Sequence, residues 1–138
     1  IYSISRQNRK SGIKEISGEI DSPEHFTGKV LQALSRRGII SSGKGPRGGF
    51  FMDEQQGEIT LLDLVGAIDG DRIFTGCGLG LKNCSETEPC PIHYEYADVR
   101  DKMKKMLSEK TIRELSEELD NGETYLTRHA AGFTNGKS

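Results

Sequence analysis

The chain has 138 residues, 33% of them hydrophobic and 29% charged, with 17 Gly, no Trp and a formal net charge of −2. That length suits one domain with an appended helix, and the modest apolar content predicts a small core with extended loops. No apolar run approaches the roughly 20 residues of a membrane span, no signal peptide is visible, and three cysteines make no secreted disulfide framework; a cytoplasmic protein without a membrane partner is expected.

The near-neutral balance excludes a nucleic-acid binder of the uniformly basic kind. Its distribution is more informative. Residues 22–50 hold Lys29, Arg36, Arg37, Lys44 and Arg47 against Glu24 alone, whereas residues 51–70 hold Asp53, Glu54, Glu58, Asp63 and Asp69 without a base. A basic block abutting an acidic one is compatible with a polyanion-binding face and equally with ordinary surface patterning.

The opening Ile-Tyr-Ser-Ile-Ser-Arg-Gln reads as the end of a helix whose beginning is absent. From Ile13 to Ile20, apolar residues at 13, 16 and 20 predict a short amphipathic helix. Asp21-Ser22-Pro23-Glu24 is a start signal: a capping residue, a proline at the first helical position and an acid in the first turn. The helix it opens is expected to run to about Arg37 with Phe26, Val30, Leu31 and Leu34 inward, and Gly38 closes it. Two short helices joined by a tight turn form a helix-turn-helix candidate.

Ile39–Ser42 and Gly49–Met52 flank Gly43-Lys44-Gly45-Pro46-Arg47-Gly48, two strands around a glycine-rich basic tip, the pattern of a β-hairpin wing. A phosphate-cradling loop is the rival, but its Gly-Lys is not followed by Ser or Thr and a helix. Thr60 caps a further helix to about Ile68. From Ile92 to Leu107, apolar residues at 92, 96, 99, 103 and 106 form a narrow heptad-like seam, which predicts dimerisation through that helix. Thr111-Ile112-Arg113-Glu114 is a capping box for a final helix ending near Leu119, and residues 120–138, His129 included, read as a disordered tail.

The most concentrated chemistry lies between the last two long elements. Cys77, Cys84, Cys90 and His93 fall in a Cys-x6-Cys-x5-Cys-x2-His pattern, and no other cysteine occurs. Buried structural cysteines are usually scattered through apolar segments, whereas these share a polar, Gly- and Pro-rich loop. Three thiols and an imidazole supply four ligands, enough for one 2Fe–2S cluster; three thiols with an outside ligand could hold 4Fe–4S. Zinc with a Cys3His set is the nearest rival, although its short Cys-x2–4-Cys knuckle is missing, and a thiol–disulfide switch is the third reading. No paired carboxylates or Ser/His/Asp arrangement stands out, so an enzyme is not expected.

The run Leu34-Ser35-Arg36-Arg37-Gly38-Ile39-Ile40-Ser41-Ser42-Gly43-Lys44-Gly45-Pro46-Arg47-Gly48-Gly49-Phe50, followed by Glu58-Ile59-Thr60-Leu61-Leu62-Asp63-Leu64-Val65-Gly66-Ala67-Ile68-Asp69-Gly70, resembles the Rrf-two family of bacterial winged-helix regulators, which includes IscR-like and NsrR-like sensors. The similarity extends through the cysteines to the last helix. It implies a mainly α fold with a small β-hairpin: a winged helix-turn-helix domain over 1–70, a cluster loop over 71–91, and a dimerisation helix with a short final helix over 92–119.

The resemblance further implies a homodimer on double-stranded operator DNA, expected to repress, with the helix from Ser22 in the major groove and the wing at a minor groove. Ser22, His25, Thr27 and Lys29 on that helix, with Lys44 and Arg47 on the wing, are the expected DNA contacts. Arg36 and Arg37 read instead as helix C-terminal cations. Cys77, Cys84, Cys90 and His93 would ligate an iron–sulfur cluster, 2Fe–2S before 4Fe–4S, of a kind often lost in air. The first cysteine gap is six where the IscR-like pattern commonly has five, and NsrR-like members take a further ligand from the N-terminal helix. Two functions outside cluster sensing fit the same residues: a cluster-free thiol- or metabolite-sensing regulator, and a zinc-stabilised protein-interaction module.

Overall fold

The computed structural model of the chain describes residues 1–5 and 9–126, so Arg6 and Gln7 of the opening segment and the tail beyond 126 lie outside the described residues. The first helix, α1, spans Tyr2–Ser5, and α2 spans Ile13–Glu19. Between α2 and α3 (Glu24–Arg36) the chain reverses through Asp21, whose φ of 51° lies in the left-handed region that Asp tolerates better than most residues. The expected cap before Pro23 does not form. Pro23 itself is the N-cap, because its ψ of 134° is still extended, and it has no side-chain partner there.

The inward row of α3 is Thr27, Leu31 and Leu34, at helical spacing. Phe26 was expected inward; it stands one position off that row and is 62% exposed. The helix ends as the sequence suggests. Gly38 takes φ of 74°, its N–H donates to the Ser35 carbonyl at 3.1 Å, and Ile39 N–H donates to Leu34 at 3.0 Å, satisfying carbonyls that the helix leaves open.

Strands β1 (Ser41–Gly43) and β2 (Gly49–Phe51) form the antiparallel hairpin, with Ser41 opposite Phe51 and Gly43 opposite Gly49. Ser11 covers the other edge of β2, exchanging two backbone hydrogen bonds with Phe50 at 2.9 and 2.8 Å. A Cβ at Gly49 would lie 2.8 Å from the Ser11 carbonyl oxygen, so this approach requires glycine.

Two short helices escaped the sequence reading. The first, α4 (Glu54–Gly57), is capped reciprocally by Asp53 and Gln56, and the Gln56 amide also donates to the Gly38 carbonyl at 3.1 Å and to Ser41 Oγ at 2.9 Å. It therefore braces the corner between α3 and the wing. Thr60 and Asp63 form the box that opens α5 (Leu61–Asp69), which is followed by the second short helix, α6 (Arg72–Thr75). Residues 76–92 have no regular secondary structure.

The long helix, α7 (His93–Ser108), packs on α5 and α6; α8 (Ile112–Asp120) turns back onto α1 and α4. Backbone bonds from Leu61 to Lys110 and from Ile112 to Ile59, each 2.9 Å, pin that return. Ile112 is thereby fully buried among Ile4, Ile16, Leu31, Leu34, Ile39, Ile40 and Phe50. Burial of each such side chain contributes about 1.5–3 kcal/mol, so residues from α1, α2, α3, the wing and α8 stabilise one shared core. Among the described residues no helix is long and apolar enough to cross a membrane.

Candidate cysteine centre and nucleic-acid interface

On the helix-turn-helix face, His25 and Lys29 are exposed on α3, and Ser22 is half-buried before it, its N–H donating to Ser17 at 3.0 Å. Lys44 and Arg47 are exposed at the wing tip. Thr27 is placed otherwise: it is 4% exposed, and its hydroxyl is buried without a hydrogen-bond partner. Its side chain lies in the inner row of α3, not on the outer face with His25 and Lys29.

Two exposed residues join this face that the sequence reading missed. Phe26 extends the outer surface of α3 between His25 and the Thr27 row. Lys10 reaches the wing from outside it, its ammonium 5.7 Å from the centre of the Phe51 ring and close to Gly43. No local pattern marks Lys10, because its place depends on the pairing of Ser11 with β2.

The cysteine loop folds over the N-terminal end of α7. Its four candidate ligands meet as two pairs: Cys77 Sγ lies 3.7 Å from Cys90 Sγ, and Cys84 Sγ lies 3.4 Å from His93 Nδ1. The cysteines are half-buried, and His93, the first residue of α7, is 7% exposed. Its backbone N–H donates to the Cys90 carbonyl at 3.0 Å, so the cysteine loop and the helix start are fixed together. Backbone hydrogen bonds from Leu79 and Leu81 hold the Cys77 thiol below its ordinary pKa; partial burial opposes them, and the Cys90 thiol and Gly80 add smaller lowering contributions.

Arg100 is the residue here that motif reading missed. Two helical turns beyond His93, its guanidinium donates to the Gly76 carbonyl at 2.6 Å and approaches Cys84 Sγ at 3.5 Å. It lies 5.7 Å from the Tyr96 ring centre, and its Nε is buried without a partner.

Around a tetrahedral metal with bonds of about 2.3 Å to sulfur and 2.0–2.1 Å to nitrogen, neighbouring ligand atoms stand roughly 3.6–3.8 Å apart. Each pair has close to that spacing. Among the described residues, however, no three or more His, Cys, Asp or Glu side chains are gathered around one point as a single-ion site.

A family model described as Rrf2, iron-dependent transcriptional regulator, matches residues 1–118. A putative HTH-type transcriptional regulator of Aquifex aeolicus is 29% identical over 116 residues, covering 83% of this chain and 81% of that protein. The regulator IscR of Photorhabdus laumondii is 28% identical over 87 residues, or 63% of this chain; the match spans about half of that protein, 52%. Among solved structures, CymR, the global cysteine regulator of B. subtilis, superposes with a TM-score of 0.64 at 19% identity, covering 84% of each chain. IscR of T. potens superposes with a TM-score of 0.63 at 13% identity, covering 86% of this chain and 77% of that one. These two likenesses establish the winged-helix fold. With the family match spanning everything from α1 into α8, the chain belongs to the Rrf2 family of transcriptional regulators.

Proposed function

We propose that this regulator binds operator DNA as a homodimer and sets its affinity through an iron–sulfur cluster, 2Fe–2S by preference, held by Cys77, Cys84, Cys90 and His93. The observation that carries the reading is the pairing of the four side chains at the start of α7, each pair with the spacing of two ligands on one metal. When bound, such a cluster supplies a redox- and nitric-oxide-sensitive centre.

The chain's own residues supply the coupling. His93 begins α7, and Arg100 on the same helix holds both Gly76 and Cys84, so any rearrangement of the loop moves the N-terminal end of α7. Val99 and Met106 on α7 are 57% and 62% exposed within one chain, which supports its seam as the surface where a second copy docks. The spacing of two α3 helices would then follow from how two α7 helices meet. Ser22, His25 and Lys29, with Lys44 and Arg47 on the wing, form the DNA set; Phe26 and Lys10 extend it. Coupling requires that the DNA-competent and incompetent arrangements hold the four ligands with different affinity.

Visible absorption with iron and sulfide analysis on anaerobically prepared protein tests the proposal. Charge-transfer absorbance with iron and sulfide at two each per chain is expected. A protein that stays colourless and iron-free after anaerobic reconstitution would falsify it.

A further inference from the structure

The two pairs around the loop are chemically unlike. Cys84 faces an imidazole at 3.4 Å and a guanidinium at 3.5 Å, whereas Cys77 faces another thiol. We propose that Cys77 and Cys90 are a modification site: in the cluster-free protein they close to a disulfide on exposure to a peroxide, leaving Cys84 as a free thiol.

Geometry selects this pair. The two sulfurs stand 3.7 Å apart, and a disulfide needs about 2.05 Å, so the closure is a matter of side-chain rotation and small loop movement. Residues 76–92 contain no helix or strand that would resist that movement. Both cysteines are half-buried, so a small oxidant reaches them without unfolding of the core. Cys84 is kept apart by its own contacts on α7, through His93 and Arg100.

The chemistry balances with the peroxide as oxidant. One thiolate attacks a peroxide oxygen, forming a sulfur–oxygen bond as the oxygen–oxygen bond breaks and the departing oxygen leaves as an alcohol or water. The second thiol then attacks the sulfenic sulfur. A sulfur–sulfur bond forms, hydroxide departs, and it takes up the thiol proton as water. Two thiols lose two electrons and two protons, and one peroxide gains them. The inference goes beyond cluster sensing, because it concerns the chain before any cluster is inserted.

Peptide mapping decides it. The full-length, cluster-free protein is treated anaerobically with a stoichiometric amount of hydrogen peroxide, its remaining thiols are alkylated, and it is digested without reduction. Cleavage after Lys82 separates Cys77 from Cys84, and cleavage after Glu86 separates Cys84 from Cys90, so each cysteine is on its own peptide. The expected map has one cross-link, joining the Cys77 and Cys90 peptides, with Cys84 alkylated. Cys84→Ser retains that cross-link, and Cys90→Ser loses it without a replacement link from Cys77 to Cys84. A cross-link through Cys84 in the unsubstituted chain, three alkylated cysteines, or oxygen addition without any cross-link would overturn the proposal. The map is made on cluster-free chain, so its outcome does not depend on that of the absorption spectrum.

Discussion

The helices that close the core and the helix that follows the cysteine loop begin in different ways. In the half built around the apolar core, α5 and α8 open on complete capping boxes, Thr60 with Asp63 and Thr111 with Glu114. In the half that carries the cysteine loop, α7 is the longest helix among the described residues and yet starts after Ile92 with no side-chain cap. What fixes its first turn is the cysteine loop itself, through the Cys90 carbonyl, the Cys84 contact to His93 and the Arg100 bridge to Gly76. Local capping sequence secures α5 and α8, whereas α2 and α3, like α7, start without a side-chain cap and rest on packing in the core. The start of the long helix is left to the contacts of an irregular loop, a weaker commitment than a capping box.

That contrast sets the largest predicted effect. Leu34 is nearly inaccessible in the shared core, so Leu34→Ala should cost about 2–5 kcal/mol in unfolding free energy. Cys84→Ser in the cluster-free protein should cost less than about 1 kcal/mol, because it removes one half-buried thiol from an irregular loop. Urea midpoints of the two variants compare them directly. Equal losses would mean that the loop is part of the cooperative core and would break the comparison.

The DNA face sharpens it next. Lys44→Ala and Arg47→Ala should each weaken operator binding and lower the slope of log affinity against log salt by about 0.9, the signature of one lost phosphate contact. Phe26→Ala should leave the urea midpoint unchanged while reducing preference for operator over random DNA by on the order of 1 kcal/mol, since an exposed aromatic ring on α3 can touch base edges. Titrations at several salt concentrations separate these outcomes, and an unchanged salt slope for both wing variants would remove the wing from the interface.

Thr27 gives a smaller and opposite effect. Its hydroxyl is buried without a partner, so Thr27→Val should hold or raise stability by up to about 1 kcal/mol with operator affinity unchanged. A large loss of DNA binding without loss of stability would return Thr27 to the interface.

These residues also show where sequence reading reaches its limit. The wing was legible because its glycines, proline and basic residues occur where a hairpin tip needs them, and the boxes at Thr60 and Thr111 were legible because capping is a four-residue pattern. The helices α4 and α6 span four residues each, too short for a hydrophobic period to register. Phe26 and Thr27 are neighbours, and composition favoured burying the aromatic one; only packing against α2 chooses the row. The cysteine spacing drew the four side chains together as candidates, but a Gly-rich loop does not encode which thiol meets which. Arg100 and Lys10 act across 16 or more residues of chain, from α7 to Cys84 and from the segment before Ser11 to the wing, and nothing local marks such partners.

The smallest predicted effect probes a cap that α7 lacks. The Thr111 backbone N–H and hydroxyl both donate to the Glu114 carboxylate, at 2.8 and 3.2 Å, and these bonds hold its pKa below the ordinary carboxylate value. A depressed folded-state pKa means that the ionised group favours the folded state above its unfolded pKa. That contribution disappears as the pH falls through the depressed value. Glu114→Gln keeps an acceptor at the same position but removes the titration, so its helix content should fall less steeply in acid than that of the parent chain. Circular dichroism from neutral pH to about pH 3 follows the difference. Identical acid profiles would show that the Glu114 charge contributes nothing to the start of α8, which would then rest on Ile112 in the core and on the Thr111 hydroxyl.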